Sequence, residues 1–425
     1  MRKIAIIGAG QGGLSLATVL QKLGYSTTLY SNRTSEQILN GRIMSTQVMF
    51  DRSLQFERKW GLNHWDDECP WGNSIMVSVG IPGEPKLGIQ WKGMTQERFQ
   101  SIDQRLKFSS LLDRYDNMGG KVIIKGVNIE DLDHITQQNE LTIVAGGKGE
   151  ISQAFARDEK RSVFDKPQRG LGCMFVSGMI RDQENFGVRT NVIPGIGEYF
   201  SMPVLSRQGS CDAMLFEAIP GGPMDKFHNK LSPEEHLEIG REILRTFIPW
   251  EAERCERIRL IDDQATLAGR FTPVIREPFA KMPCGKAVLG MADTIVLNDP
   301  IAGQGSNNAG KCAEIYLKGI LEREGGKFDE EWMQKVFEEF WKESAEASTM
   351  FSNMLLSAPP PHVLEFLATG MKVPNVADQF SHAFENPASL FPWILTPEGT
   401  KEKTRELEGK KVGGIYGKKE EQVYA

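Results

Sequence analysis

The chain has 425 residues, 40% hydrophobic and 25% charged, with a formal net charge of -6; two packed lobes are expected because one core stops growing at roughly 250–300 residues. The weak negative charge offers no broad basic face for nucleic acid or anionic lipid, and no apolar run approaches the roughly 18 residues that cross a membrane. The six cysteines lack a C-x-x-C pair, which argues against a disulfide framework or a metal site and predicts a cytoplasmic protein.

The chain begins with a pattern typical of a strand, a glycine turn, a helix and a second strand. We predict the strands at residues 3–7 and 26–30 and the helix at 14–23, with Gly24 as its stop. The turn satisfies the G-x-G-x-x-G fingerprint, whose glycines allow a tight bend, a close approach by pyrophosphate and contact between helix and strand. The residues expected to bind the pyrophosphate are Gly8, Ala9, Gly10, Gln11, Gly12 and Gly13.

The end of the second strand departs from this fingerprint. An acidic residue usually follows there and binds the ribose hydroxyls, but this chain has Ser31, Asn32 and Arg33. Arg33 could meet the 2'-phosphate of NADP, or Ser31 and Asn32 could bind an FAD ribose more loosely than a carboxylate would. These residues alone leave both interpretations open.

The sequence pattern in the middle of the chain predicts further helices and strands. Residues 37–94 have irregular spacing and predict a loop-rich excursion, followed by a helix at about 97–117 and strands at 121–125 and 141–144. Short apolar runs between 167 and 278 predict a mostly antiparallel second sheet with one helix at 233–246. A strand at 287–290, a helix at about 307–323 and a helical tail complete the prediction.

Three later segments favour FAD over a nicotinamide cofactor. The strand at 141–144 runs into small residues that let the backbone pass close to a cofactor, and Asp293 follows the strand at 287–290 where a ribityl hydroxyl could reach it. The glycines and amides after Asp299 can place N–H donors against the N1–C2=O edge of a flavin. The residues expected to contact the cofactor here are Gly146, Asp293, Pro300, Gly303, Gln304, Gly305, Ser306 and Asn307.

The order of these motifs resembles the para-hydroxybenzoate hydroxylase fold of flavoprotein monooxygenases. More closely, the chain resembles the oxygenase component of the two-component styrene and indole monooxygenases. The resemblance also rests on the F-D-K-P-Q-R sequence at 164–169 and the R-F-T-P sequence at 270–273. It implies an α/β fold in which an FAD-binding Rossmann domain is joined to a β-sheet substrate domain and a helical C-terminal segment.

The resemblance also implies how the chain is divided between domains. Residues 1–165 would form mainly the FAD-binding domain, with an excursion into the substrate lobe at about 45–100. Residues 166–278 would form mainly the substrate-binding sheet, 279–325 would return to the FAD domain, and 326–425 would form the helical segment with its charged tail.

Enzymes of this family use reduced FAD and molecular oxygen to form a C4a-hydroperoxyflavin, which transfers its distal oxygen to an electron-rich double bond. The resemblance therefore implies no catalytic side chain, reduced FAD supplied by a separate NADH-dependent flavin reductase, and epoxidation of indole or a styrene-like alkene. A homodimer is allowed. The main alternative is a single-component NAD(P)H-dependent aromatic hydroxylase of the same fold. A halogenase is less favoured because its W-x-W-x-I-P segment is absent, and a non-enzymatic flavin-binding protein is a further alternative.

The resemblance finally implies residues around the flavin and the substrate. Arg42, Arg105 and Val127 match positions that contact FAD in the family. Three alternate residues of one extended segment would share a wall of the substrate pocket. In the indole branch these are serine, glutamine and methionine, as in this chain, and Gln47 or Ser45 could accept the indole N–H. The substrate-binding residues implied are Ser45, Gln47, Met49 and Ile75.

Overall fold

The computed structural model describes residues 2–146, 149–181 and 187–410. In chain order its strands are β1 Lys3–Ile7, β2 Ser26–Ser31, β3 Trp71–Gly80, β4 Leu87–Gln100, β5 Lys121–Ile124, β6 Leu141–Val144, β7 Gly170–Ser177, β8 Gly187–Ile193, β9 Gly197–Ser206, β10 Gly209–Ala218, β11 Arg259–Leu260, β12 Thr266–Gly269, β13 Val274–Ile275, β14 Phe279–Lys281, β15 Ala287–Gly290 and β16 Val296–Leu297.

Helices pack against both sheets and make up most of the carboxyl-terminal part. They are α1 Gln11–Lys22, α2 Ser35–Leu39, α3 Asp51–Lys59, α4 Gln104–Asn117, α5 Ile129–Gln138, α6 Pro233–Phe247, α7 Pro249–Ala252, α8 Gly305–Glu322, α9 Glu330–Phe340, α10 Glu346–Leu355, α11 Pro361–Thr369, α12 Pro374–Glu385 and α13 Pro397–Glu408, with a π-helical turn at Trp341–Ala345 between α9 and α10. No described helix is long and apolar enough to cross a membrane.

The first sheet has six strands in the order β14-β15-β6-β1-β2-β5. The five strands from β15 to β5 are parallel, and β14 is an antiparallel edge. Its core joins β1 and β6 to α1, α4, α8 and α9 through apolar side chains such as Leu16 and Ile143. Gly24, at φ 84°, turns the chain out of α1 into β2, as predicted.

The second sheet has eight strands and is antiparallel except where β3 runs parallel to β8. One apolar cluster joins this sheet to α10, α11 and α12, and a second lies between it and α6. The first lobe contains the glycine turn, and the second contains β3, β4 and β7–β12. The domain boundaries themselves stay a prediction, and the charged tail at 411–425 lies outside the described residues.

Two predictions about residues 37–117 are wrong. The segment at 37–94 is not loop-rich, because it contains α3 and most of the long hairpin of β3 and β4. The buried positions of β3 fall on both of its faces, so the strand lacks the alternation that identifies a half-buried strand. The helix starts at Gln104 rather than near Glu97, because β4 continues to Gln100 and Asp103 caps α4.

Candidate active site

The glycine turn between β1 and α1 leaves an open, positively polarised surface. Gly10 precedes α1 without a side-chain cap, and no acidic residue lies in the first turn, so no described side chain neutralises the partial positive charge at the start of the helix. A Cβ on Gly13 would lie 2.0 Å from the Gly8 carbonyl oxygen, whereas one on Gly10 would meet nothing within 4 Å. Packing therefore requires the third glycine, and the space beside the second is free for a ligand.

A second glycine-containing turn, which also leads into a helix without a side-chain cap, precedes α8. The Asp299 carboxylate accepts a hydrogen bond from the Ile301 N–H at 3.2 Å and caps a short 3₁₀ turn at Pro300–Ala302. Gly303 then takes the left-handed conformation, at φ 63°. Because α8 also begins without a side-chain cap or an early acidic residue, its N–H groups form another site for negative charge. We call residues 299–305 the Asp299 loop.

The two turns lie next to each other in the folded chain. A Cβ on Gly12 would lie 3.2 Å from the Ala309 carbonyl oxygen, and one on Gly305 would lie 4.0 Å from Asp293 Oδ1. Ala292, just before Asp293, has a φ of 53°, which is a strained conformation for alanine. The structure therefore brings the glycine turn, Asp293 and the Asp299 loop together, as a dinucleotide spanning two helix amino termini would require.

Asn307 fastens the Asp299 loop to the segment before α3. Its amide donates to the Val48 carbonyl at 2.7 Å and to the Gly303 carbonyl at 3.1 Å, and it accepts from the Phe50 N–H at 2.9 Å. Ser306 donates to the Gln47 side chain at 3.2 Å. The segment at 45–50 consequently lies along the start of α8.

The predicted substrate residues divide between two environments. Gln47 and Met49 face α8, since Gln47 meets Ser306 and the Met49 methyl lies 3.9 Å from a Cβ placed on Gly310. The half-buried Ser45 donates to the Thr46 carbonyl. Ile75 lies instead in the apolar cluster that contains Val48 and Phe50. Gln47 and Met49 thus share one side of the segment, and Ile75 packs with the intervening residues.

The end of β2 has no carboxylate to meet a ribose. The buried Ser31 hydroxyl is engaged by the Arg33 backbone, donating to its carbonyl at 2.6 Å and accepting from its N–H at 3.2 Å. Asn32 is exposed, and the Arg33 guanidinium contacts the Met44 sulfur. A ligand here would gain weaker hydrogen bonding than the fingerprint's usual acid provides.

Comparison with known proteins identifies the chain's relatives. Residues 147–254 match the family described as "Styrene monooxygenase A putative substrate binding domain". The styrene monooxygenase StyA of Pseudomonas fluorescens is 27% identical over 408 residues, covering 93% of this chain and 96% of that protein. A second StyA, from another Pseudomonas, is 27% identical over 406 residues.

The chain is similar to the styrene monooxygenases over 93% of its length. The predicted resemblance to this family and the predicted class of enzyme, a flavoprotein monooxygenase, are therefore confirmed. The indole branch stays a prediction, since both StyA relatives carry the name of styrene.

Solved structures confirm the predicted fold of this styrene monooxygenase relative. A flavoprotein/dehydrogenase from Cytophaga hutchinsonii superposes with a TM-score of 0.69 at 12% identity, covering 96% of this chain and 98% of the other. The flavin-dependent brominase Bmp2 has a TM-score of 0.64 at 14% identity, covering 95% of this chain and 98% of its own. At such low identity these likenesses establish the shared fold alone.

Arg105 is engaged within the protein rather than directed to open space. Only 1% of its side chain is exposed, and its guanidinium pairs with Asp103 at 2.7 Å and with Asp262 at 3.1 Å. It also donates to the Gly41 carbonyl. These bonds leave at most one N–H for an external ligand, so they favour a structural role, and its contact with the flavin stays a prediction.

The surroundings of three other residues predicted to contact the cofactor do not indicate a flavin contact. Arg42 is exposed and lies near α6, where burial and then the Arg42 charge lower the pKa of His236 to about 4. Val127 is half-buried between β5 and α5 against the first core. Gly146 follows Ala145, whose N–H donates to the Ile7 carbonyl beside the glycine turn. Contacts of these residues with a flavin stay predictions.

A buried ion pair beneath the glycine turn was not predicted. The Gln11 amide donates to Glu57 Oε1 at 2.7 Å, and Lys107 Nζ pairs with the same oxygen at 2.6 Å. The Lys107 and Glu57 side chains are 0% and 1% exposed. The three residues come from α1, α3 and α4, so no local spacing in the sequence could reveal the network.

Proposed function

We propose that this chain is the oxygenase component of a two-component FAD-dependent monooxygenase that epoxidises indole or a styrene-like aromatic alkene. The observation that carries the proposal is the pairing of two uncapped helix amino termini, one after Gly10 and one after Gln304. Asn307 joins the second of them to the residues of the expected pocket. Similarity to the styrene monooxygenases supports the same reaction class.

The residues present fit an FAD molecule. The free space at Gly10 and the N–H groups that begin α1 would hold the pyrophosphate. Asp293, beside Gly305, would accept from a ribityl hydroxyl, and the N–H groups that begin α8 would face the flavin's N1–C2=O edge. The Gln304 side chain is 1% exposed, and its Oε1 has no partner among the described residues. An N–H of the flavin would satisfy such an oxygen.

The protein's part in the reaction is to bind, orient and exclude water. Reduced FAD, when bound, supplies the oxygen-activating chemistry. The α8 amino terminus would stabilise negative charge on the flavin edge through its dipole. Val48, Met49 and Phe50 are at most 7% exposed and would keep water from the reacting face. Gln47 is fixed by the Ile102 carbonyl and Ser306, so its orientation is set before substrate arrives.

The proposed source of reduced FAD is a separate NADH-dependent flavin reductase. The sequence has one dinucleotide fingerprint, at residues 8–13, and the resemblance to two-component enzymes implies this partner. The end of β2 supports exchange of the flavin, because Ser31 is engaged by the backbone and no carboxylate grips the ribose. The single-component alternative predicts rapid reduction of bound FAD by NAD(P)H. The rate of this reduction therefore distinguishes a single-component enzyme from a two-component one.

Replacing Ser45 with alanine tests the proposed preference for indole. The Ser45 hydroxyl donates to the Thr46 carbonyl at 3.0 Å and keeps its lone pairs to accept the indole N–H. We expect kcat/KM for indole to fall about 5- to 10-fold, the equivalent of one ordinary hydrogen bond. The value for styrene should change less than about twofold, because styrene has no N–H to donate.

A matched control is Ser357→Ala, since the exposed Ser357 hydroxyl also donates to a backbone carbonyl, that of Asn353. Both substrates should keep their parent values in this variant. Equal losses for indole and styrene in Ser45→Ala would contradict recognition of the indole N–H by Ser45. Absence of oxygenated product from either substrate would contradict the proposed reaction.

A further inference from the structure

Three buried acids and one arginine form a cluster behind the Asp299 loop. Glu198 on β9 and Glu217 on β10 are directly opposite each other in the ladder. Arg169 forms two bonds to Glu198, at 2.6 and 2.8 Å. Asp299 contributes the third carboxyl, and all four side chains are almost completely buried, with Glu217 0% exposed. Like charges placed directly opposite in a sheet destabilise it unless one is neutralised.

The Glu217 carboxyl meets the Asp299 carboxyl. No N–H or hydroxyl among the described residues donates to either Glu217 oxygen. The Asp299 carboxyl is the group placed to form a hydrogen bond with it. Two ionised carboxylates have no hydrogen to share, so such a bond requires one proton. Arg169 cannot replace that proton, because its paired bonds go to Glu198.

The charges around Glu217 agree with this geometry. Burial, followed by the charges of Asp299 and Glu198, raises the pKa of Glu217 well above its usual value, and Arg169 opposes the shift only weakly. Burial also raises the pKa of Asp299. Asp299 in the loop, Glu198 on β9 and Arg169 before β7 are the charged groups that the described residues bring to Glu217. The end of α10 adds an uncharged contact, the Leu356 carbonyl on Arg169.

We propose that Glu217 is a positioning residue that holds Asp299 through a shared proton and thereby fixes the Asp299 loop against the flavin. Asp299 caps the turn that leads through Gly303 into α8. If Asp299 moved, the Ile301 N–H would lose its acceptor and the amino terminus of α8 would lose its alignment with the glycine turn. The inference rests on the proposed binding of FAD between these two turns.

The proposal gives FAD affinity a defined dependence on pH. Because the folded-state pKa of Glu217 is raised, the proton is present at low pH and is lost as pH rises through that raised value. Two buried carboxylates then repel each other, and the loop is released. Affinity should therefore be greatest at low pH and fall as pH rises.

The expected pH dependence can be tested by titrating the apoprotein with oxidised FAD at several pH values from about pH 6 to about pH 9. In the parent protein the dissociation constant should increase, by up to about tenfold per pH unit once Glu217 begins to ionise. Glu217→Gln should keep the affinity that the parent has at low pH and lose the pH dependence, because its amide donates permanently to Asp299. Glu217→Leu should bind more weakly at every pH, since Asp299 then lacks a donor.

The matched control is Asp212→Asn. Asp212 is also a buried acid on β10, with a pKa raised by burial, but it pairs with Arg181 rather than with the Asp299 loop. Its FAD titration should follow the parent's pH profile. A parent-like pH profile in Glu217→Gln would overturn the inference while leaving FAD binding intact. Failure of the parent to bind FAD at any pH would overturn the proposed function and, with it, this inference.

Discussion

Replacing Gly10 with valine is expected to abolish FAD binding while leaving the apoprotein as stable as the parent. Gly10 has φ -95° and ψ -171°, an extended conformation that any residue adopts, and its missing Cβ faces open space. Valine would extend into the place proposed for the pyrophosphate, and its Cβ would meet no described protein atom within 4 Å. We expect the dissociation constant of FAD to rise at least about a hundredfold, or about 2.7 kcal/mol, as measured by flavin titration.

Two further variants separate loss of the ligand from loss of the fold. Gly269→Val adds the same side chain at the end of β12, where a Cβ also meets nothing within 4 Å, and should bind FAD like the parent. Gly13→Ala should instead lower the melting temperature, because its Cβ would collide with the Gly8 carbonyl oxygen. If Gly10→Val bound FAD with the affinity of the parent, the pyrophosphate could not bind at this turn as proposed.

Replacing Lys107 with methionine is expected to be the most destabilising of the substitutions considered. The change would leave the Glu57 carboxylate buried with only the Gln11 amide as a donor, since its Oε2 has no partner among the described residues. Breaking one side of a buried ion pair costs about 3–5 kcal/mol of unfolding free energy. Urea unfolding of the apoprotein, followed by far-UV circular dichroism, measures the loss.

The double variant Lys107→Met with Glu57→Gln should recover most of this loss, because a neutral amide at position 57 can still bond to Gln11. Lys86→Met, which breaks the exposed pair with Glu84, should leave the unfolding free energy almost unchanged. If the double variant is as unstable as Lys107→Met, the loss does not come from an uncompensated charge on Glu57.

Local patterns in the sequence were sufficient for the start of the first lobe. The strand at Lys3–Ile7, the glycine turn and the stop at Gly24 follow one another within the first 24 residues, and each has a physical signature of its own. The strand at Leu141–Val144 and the helix that follows the Asp299 loop were also predicted, because the strand is a short, mainly apolar run that ends at small residues and the helix follows a glycine-rich turn.

The parts that were missed depend on contacts between distant residues. The hairpin of β3 and β4 buries side chains on both faces of β3, so its sequence has no alternation to detect. Gln47 is placed by Ser306 and by Ile102, and Glu57 by Lys107. One available signal was Glu217, an acid that directly follows the apolar residues 213–216 of β10, as a buried functional acid would.

In the proposed reaction, the chain transfers oxygen from FAD that arrives already reduced. The direct measurement is to reduce FAD chemically without oxygen, mix it with the apoprotein, and add oxygen with indole or styrene in the absence of any reductase. We predict oxygenated product in proportion to bound FAD, with indigo formed from indole, and only slow reduction of FAD when NADH or NADPH is supplied instead. Bound FAD that yields no oxygenated product from either substrate, or rapid reduction by NAD(P)H without a reductase, would contradict it.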